Sequence, residues 1–345
     1  MRNKIIYFPE KEKAALKETE FETPTLEPNQ LFLQCECSAI SAGTELANFH
    51  ALPNTSPTGY IGMESSELTR GFPFHPGYSS VGIIKEMGSA VEGYKVGQRV
   101  IITEGGHRLY HIRPVNKIYP VADGVSPEEA AFVYISSFPC LGVRKLQIQL
   151  GEACMVAGLG ILGLFAVQFA KLSGAAPVLA CDMSPERRAL ALQLGADAVF
   201  DPSDPEFFQK IKAATDGRGP DAVVEVTGRI EALQQALEYI AWEGRISLLG
   251  CTRVSDKFID FYKYVHKRGI TLIGAHNQTR PLHDSRPGQW THVDDYRTFM
   301  RLVGSKRLQV APLIHRIVHP EDASEIYHEL GFSKNPPVGV LVDWR

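Results

Sequence analysis

Residues 153–163, ACMVAGLGILG, place Gly158, Gly160 and Gly163 in the spacing G-x-G-x-x-G. An apolar run precedes them, the helix-forming run ILGLFAVQFAKLSG follows Gly160, and Asp182 closes the next apolar run nineteen residues after Gly163. That order suits a dinucleotide. Gly158 permits a tight turn, Gly160 lets a pyrophosphate approach the backbone, and Gly163 lets the helix pack on its sheet. Leu159, Ile161 and Leu162 fill the turn, where the N–H groups of the helix start face the anion. Asp182, with Met183 beside it, accepts from the adenosine ribose hydroxyls. Its charge opposes a 2′-phosphate by about 3 kcal/mol at ~5 Å and an effective dielectric of ~20. NAD is therefore the expected cofactor. Arg187 and Arg188 nearby keep NADP open, since an arginine accommodates the extra phosphate.

Metal-type constellations are weaker. Cys35 and Cys37 form a Cys-x-Cys pair that an alternating strand turns to one face, but no second pair accompanies it. His107 and His111 share a strand face yet lie ~13 Å apart at about 3.3 Å per residue, too far for one ion. The segment HNQTRPLHDSRPGQWTHVDDYR (276–297) gathers donors, acceptors and rings. Trp290 suits a stacking plate there, and His276, Asn277 or Arg280 suit hydroxyl readers; a solvated connection is the plainer reading.

The elements around these residues fall into two regimes. The 345 residues exceed one ordinary domain, and 44% hydrophobic with 22% charged residues is an ordinary globular composition. A net charge of −3 and a pI near 6.4 offer a phosphate backbone or an anionic membrane no general attraction, so a small solute is the expected partner. Without a long apolar run, a cytoplasmic location is expected, with the six cysteines reduced and mostly packing. The first third reads as short strands with Gly punctuation, LFLQCECSAIS and SSVGIIKEMGSAVEGYKVGQRVIIT, and implies a small β-barrel. From about residue 122 strands alternate with helices whose starts share one grammar: Ser126-Pro127 with two following acids, then MSPERR and SDPEFF. Strands are expected within 153–160, 176–182, 196–200, 221–226, 244–250 and 270–275, giving an α/β, doubly wound parallel sheet. The last stretch, VAPLIHRIVHP to PPVGVLVDW, returns to strands and rejoins the first domain. The expected domains are 1–121 plus 280–345, and 122–279.

This order, with SAGTEL (41–46), PGYSSVG (76–82), VGQRV, LGADAVFD, VVEVTG and GRISLLG, resembles the medium-chain dehydrogenase/reductase superfamily over nearly the whole chain. The branch of bacteriochlorophyllide a dehydrogenase-like proteins has similar GTE and GYSSVG signatures. The resemblance implies a GroES-like β-barrel catalytic domain and a Rossmann domain. It implies that Val226, Thr227, Gly228, Leu249, Gly250 and Cys251 line the nicotinamide side, with Ile273 and Gly274 near the carboxamide. Dimers or tetramers built on the edge strand in RGITLIGA are expected by analogy.

Zinc-dependent members take their metal from a Cys before Gly-Thr-Asp, the His of Pro-Gly-His-Glu, and a later Cys or acid. Here Ala42 holds the first slot and Tyr78 the second. The third falls in YISSFP, which has neither thiol nor carboxylate. ITEGGHRLYHI replaces the four-cysteine structural lobe. Glu45, His50, Glu64, His107 and His111 are the remaining ligand types, and no zinc site is expected. The resemblance makes Tyr78 the residue facing the nicotinamide, with Thr44 as the relay hydroxyl, Ala47 in place of the relay histidine, and Glu45 as a base or a structural partner. The expected activity is NAD-dependent hydride transfer at a secondary alcohol or ketone of a sugar, cyclitol or polyol, without zinc. The alternatives are a bulky ring-system alcohol, an NADPH-dependent quinone or enone reductase, and a non-enzymatic binding protein.

Overall fold

The computed structural model describes residues 1–20, 25–52, 71–253 and 257–345. Its strands are β1 (Arg2–Tyr7), β2 (Ala15–Glu20), β3 (Gln30–Ile40), β4 (Ser79–Met87), β5 (Arg99–Thr103), β6 (Tyr110–Pro114), β7 (Ile118–Pro120), β8 (Cys154–Ala157), β9 (Val178–Cys181), β10 (Ala198–Phe200), β11 (Ala222–Glu225), β12 (Arg245–Leu248), β13 (Thr271–Gly274), β14 (Ile314–Val318) and β15 (Gly339–Asp343). The α-helices are α1 (Ala42–Phe49), α2 (Pro127–Ala130), α3 (Val133–Leu146), α4 (Ile161–Leu172), α5 (Pro185–Gln193), α6 (Phe207–Ala213), α7 (Ile230–Tyr239), α8 (His292–Gly304) and α9 (Ala323–Phe332). Among these residues no helix is long and apolar enough to cross a membrane.

The chain divides into one unit of residues 1–135 and 296–345 and another of 136–295. The expected boundaries, 121/122 and 279/280, fall earlier. Buried Ala131 and Phe132 keep the first helical turns with the β unit. At the other end, Arg280 donates to Ser137 O and Asp295 binds Arg144 at 2.8 Å, which holds 280–295 to α3 in the second unit.

The first unit is a mostly antiparallel sheet in the order β14-β15-β3-β4-β5-β7, with β6 also on β3 and β1-β2 as a separate hairpin. The C-terminal strands rejoin it, as their pattern implied. Long β3 is its spine. A register shift between Cys35 and Cys37 separates those thiols: Cys35 packs with Ile6, Phe8 and Trp344, while Cys37 donates to Pro127 O at 3.3 Å. All six cysteines are free thiols, and Cys251 alone is exposed.

The second unit carries a six-stranded parallel sheet in the order β10-β9-β8-β11-β12-β13, one strand from each expected run. Its inner strands are apolar almost throughout because helices bury both faces. Ser126 accepts from Glu129 N–H in a full capping box, and Ser184 caps α5 by accepting from Arg187 N–H. The third start differs: Asp204 accepts from Glu206 N–H at 2.8 Å, so SDPEFF spends a turn before α6 begins at Phe207.

Candidate active site

In the second unit, β8 ends at Ala157 and the backbone turns at Gly158, whose φ of 96° lies in the left-handed region that favours glycine. A Cβ there would meet Thr227 Cγ2 at 2.7 Å, and one on Gly163 would overlap Gly158 O. At Gly160 a Cβ would meet nothing within 4 Å. The first and third glycines are thus required by packing, and the second faces open space. Gly160 N-caps the twelve-residue α4 without a side-chain cap, so its first-turn N–H donors have no side-chain partner at the cap.

The sheet order reverses between β8 and β11, and doubly wound sheets bind ligands at that point, outside the carboxyl ends of the strands. The expected cofactor residues gather there. Gly158 N–H donates to Cys181 O at 2.9 Å, and Leu159 N–H donates to Asp182 Oδ2 at 2.8 Å. Across the switch, Gly228 and Gly250 pack so closely that a Cβ on Gly250 would overlap Gly228 N. Leu249 and Gly250 both donate to Glu225 O. Gly274, at the end of β13, gives its carbonyl to Lys145 Nζ at 2.6 Å. This arrangement fits a dinucleotide: open space at Gly160, uncapped helix donors, and a carboxylate at the end of the second strand of the motif.

Asp182 is already tied to backbone. Besides Leu159 N–H it accepts from Ser184 N–H at 2.9 Å, which holds Met183 in an exposed bend. Arg188 donates to Asp182 O, Met183 O and Asp201, so this cation braces the loop. Glu225 carries an unforeseen role. Fully buried at the end of β11, it accepts from the hydroxyl and N–H of Thr227 and from Gly228 N–H at 3.2 Å. Burial raises its pKa, against these donors. A single acid inside the apolar run AVVEV (222–226) was the sequence signal for it.

The first unit holds a hydroxyl cluster. Ser41 precedes α1 and Thr44 lies in its first turn; the Tyr78 hydroxyl donates to Ser41 Oγ, with Thr44 Oγ1 at 3.5 Å. The Tyr78 and Tyr134 rings lie 5.0 Å apart, and Tyr134 donates to Glu104 at 3.1 Å. Glu45 faces the opposite way. Only 1% exposed, it accepts from Ser41 N–H at 2.9 Å and from Tyr327, and lies 3.1 Å from His107 Nε2. Of the two roles expected for Glu45, a base or a structural partner, these contacts are those of a structural partner: the buried carboxylate positions α1. His107 Nδ1 meets Ser38 Oγ at 2.8 Å, and Trp344 Nε1 donates to the same oxygen at 2.9 Å.

Among the described residues the donor set does not fit a catalytic zinc. Ala42 presents a methyl group and Tyr78 a phenol, and among the described residues no three His, Cys, Asp or Glu side chains converge. His107 belongs to Glu45, and His50 lies 3.1 Å from Glu12. His111 is buried elsewhere, and Glu64 lies outside the described residues.

Segment 276–297 had two readings, ligand readers or a connection, and the contacts of several of its side chains are internal to the second unit. Arg280, 6% exposed, binds Asp295, donates to Ser137 O and Trp290 O, and holds Asn277 Oδ1 at 2.7 Å. The Arg144 guanidinium sits 3.7 Å from the Trp290 ring centre. These side chains lock the segment to α3, so Asn277, Arg280 and that face of Trp290 are already engaged. His276, exposed, accepts from Gln278 N–H at 3.3 Å.

A parallel sheet with a glycine turn at its switch point and a separate β unit define a two-domain, dinucleotide-dependent oxidoreductase. A zinc-binding dehydrogenase family model matches residues 162–291. The chain is 30% identical over 275 residues to L-threonine 3-dehydrogenase of Pyrococcus furiosus, covering 69% of this chain and 73% of that protein. It is 26% identical over 319 residues to D-guloside 3-dehydrogenase of Escherichia coli K12, covering 89% and 91%. A solved chain from Sinorhizobium meliloti 1021, bound to NADP, superposes with a TM-score of 0.80 at 21% identity over 99% of both chains. The chain belongs to the medium-chain dehydrogenase/reductase superfamily, the zinc-binding alcohol dehydrogenase-like proteins. It is an NAD(P)-dependent dehydrogenase acting on CH–OH groups.

Proposed function

We propose that this protein is an NAD-dependent dehydrogenase of a secondary alcohol on a sugar, cyclitol or polyol, and that it works without catalytic zinc. The observation that carries this reading is the Tyr78 hydroxyl, hydrogen-bonded to Ser41 with Thr44 beside it, at the position where zinc-dependent members place a histidine ligand. The nicotinamide, when bound, supplies the hydride acceptor or donor. The chain's own part is the proton. During oxidation the alcohol O–H donates to Tyr78 Oη, the phenolic proton passes to Ser41 Oγ, and Ser41 gives up its own hydroxyl proton to solvent; during reduction the relay runs in reverse and Tyr78 Oη donates to the carbonyl oxygen. Glu45 keeps Ser41 in place from the buried side.

The Asp182 carboxylate and the engagement of Arg188 in the loop support NAD over NADP. The match to D-guloside 3-dehydrogenase over 91% of that protein supports a sugar alcohol. A turnover panel of NAD and NADP against sugars, cyclitols, aryl alcohols and quinones tests the reading, alongside metal analysis of untagged protein. NAD-dependent oxidation of a sugar or cyclitol by metal-free enzyme is the expected result. One tightly held zinc per chain would overturn the metal-free mechanism. Turnover confined to NADPH and quinones, or to a bulky ring alcohol of the kind suggested by bacteriochlorophyllide a dehydrogenase-like proteins, would reassign the substrate.

A further inference from the structure

The turn between β5 and β6 builds a second polar constellation that hydride transfer does not use. His75, Gly105, Gly106, Arg108, His111 and Arg113 line a cavity of ≈ 220 Å³ together with Glu104. Arg108 and Arg113 form no ion pair among the described residues, and their Nε atoms are buried without hydrogen-bond partners. Arg113 uses one Nη to donate to Thr103 O at 3.1 Å. The one carboxylate on the wall, Glu104, is bound to Lys117 at 2.5 Å. Its field reaches Arg113, but it neutralises neither arginine by contact.

His111 points into the same space. It is 2% exposed, and among the described residues neither ring nitrogen has a hydrogen-bond partner of good geometry. A Cβ on Gly105 would lie 2.5 Å from Nδ1 and 2.8 Å from Cε1, so only a glycine at 105 lets that edge of the ring pack against the turn. At the rim, Lys17 Nζ lies 3.0 Å from His75 Nε2.

Burial lowers the pKa of Arg108 and Arg113, and Arg113's charge lowers that of Arg108 further. Burial, then Arg108 and Arg113, pushes His111 down to about 3; the Arg108 backbone offsets this only in part. Two half-buried guanidinium groups, a buried imidazole with no well-formed hydrogen bond among the described residues and a rim lysine are a set of donors awaiting a counter-charge. We propose that this cavity binds a phosphate-sized oxyanion, either inorganic phosphate or the phosphoryl group of a small metabolite, held by Arg108 and Arg113 with His111 donating.

Isothermal titration of the NADH-saturated full chain tests this, because the bound nucleotide keeps phosphate out of the glycine turn. Inorganic phosphate and glycerol 3-phosphate are the two probes, at low ionic strength. Saturable binding with a Kd of about 1 mM, weakened at least about tenfold in Arg108→Gln and in Arg113→Gln, is expected. Tighter binding of glycerol 3-phosphate identifies a metabolite site, and equal or weaker binding identifies inorganic phosphate. No saturation by about 50 mM of either probe, or binding unchanged in both variants, overturns the proposal. Should the variants unfold, a wild-type crystal soaked in phosphate decides: density between the two guanidinium groups supports the site, and its absence refutes it.

Discussion

Glu45 and His107 form a fully buried pair, 3.1 Å apart, in which the carboxylate also takes Ser41 N–H and the Tyr327 hydroxyl. This pair joins helix α1, the turn after β5 and helix α9 through one carboxylate. Removing one member of a buried pair leaves the other uncompensated, which typically costs about 3–5 kcal/mol. His107→Ala and Glu45→Leu are therefore each expected to lower unfolding stability by about 3 kcal/mol, read from urea denaturation. A loss of under about 1 kcal/mol would mean that solvent reaches the pair.

Tyr78→Phe isolates the hydroxyl. General acid–base groups contribute about 10²–10⁴-fold, so kcat should fall by at least about 100-fold while the ring still packs on Tyr134. The dissociation constant of NADH should not change. Unaltered turnover would reduce Tyr78 to a ring filling the former metal position.

Asp182→Asn removes a charge from the ribose end while an amide oxygen can still accept from Leu159 or Ser184 N–H. The ratio of NADPH to NADH dissociation constants should fall by at least about tenfold, since about 1.4 kcal/mol of relieved repulsion already amounts to that factor. A ratio that stays constant would place the discrimination elsewhere, with Arg187 the next residue to replace.

The glycine turn was legible because its requirements are local. The positive φ at Gly158 and the exclusion of any Cβ at Gly163 follow from a strand turning into a helix within six residues. Strand and helix rhythm likewise located all six parallel strands. Partnerships across the fold left no such trace. Tyr327 lies 282 residues from Glu45 in sequence, and His107 lies 62 away, so strand spacing could rule out one ion shared by His107 and His111 but could not show that His107 meets Glu45. Arg280 and Trp290 looked like ligand readers because a polar segment carries no mark of whether its side chains face inward.

Strand β13 is an edge of the parallel sheet. Thr271 and Ala275 donate inward to Gly244 O and Leu248 O, so by strand alternation the N–H groups of Leu272 and Gly274 point outward. We propose that two copies pair through this edge. Leu272→Pro deletes one outward donor and should convert a dimer to monomers in light scattering without loss of bound NADH. A wild-type monomer at micromolar concentration would refute the pairing.

His111 sets the sign of a pH effect on stability. Its imidazole faces Arg108 and Arg113, with His107 and His75 near and Glu104 engaged by Lys117, and its pKa is pushed to about 3. In the unfolded chain the ring titrates near its ordinary value of about 6.5. Between those values the unfolded state binds a proton that the folded state refuses, so stability falls as pH drops below about 6.5, by at most about 1.4 kcal/mol per unit. Above that pH the group is neutral in both states and contributes no slope. In phosphate-free buffer, His111→Gln should flatten the stability profile between pH 6 and 4 by one proton's worth of slope, roughly 1.4 kcal/mol per unit. An undiminished slope in the variant would assign the uptake to other groups. Millimolar phosphate should reduce the slope in the wild type, because an anion between the guanidinium groups makes a charged imidazole easier to hold.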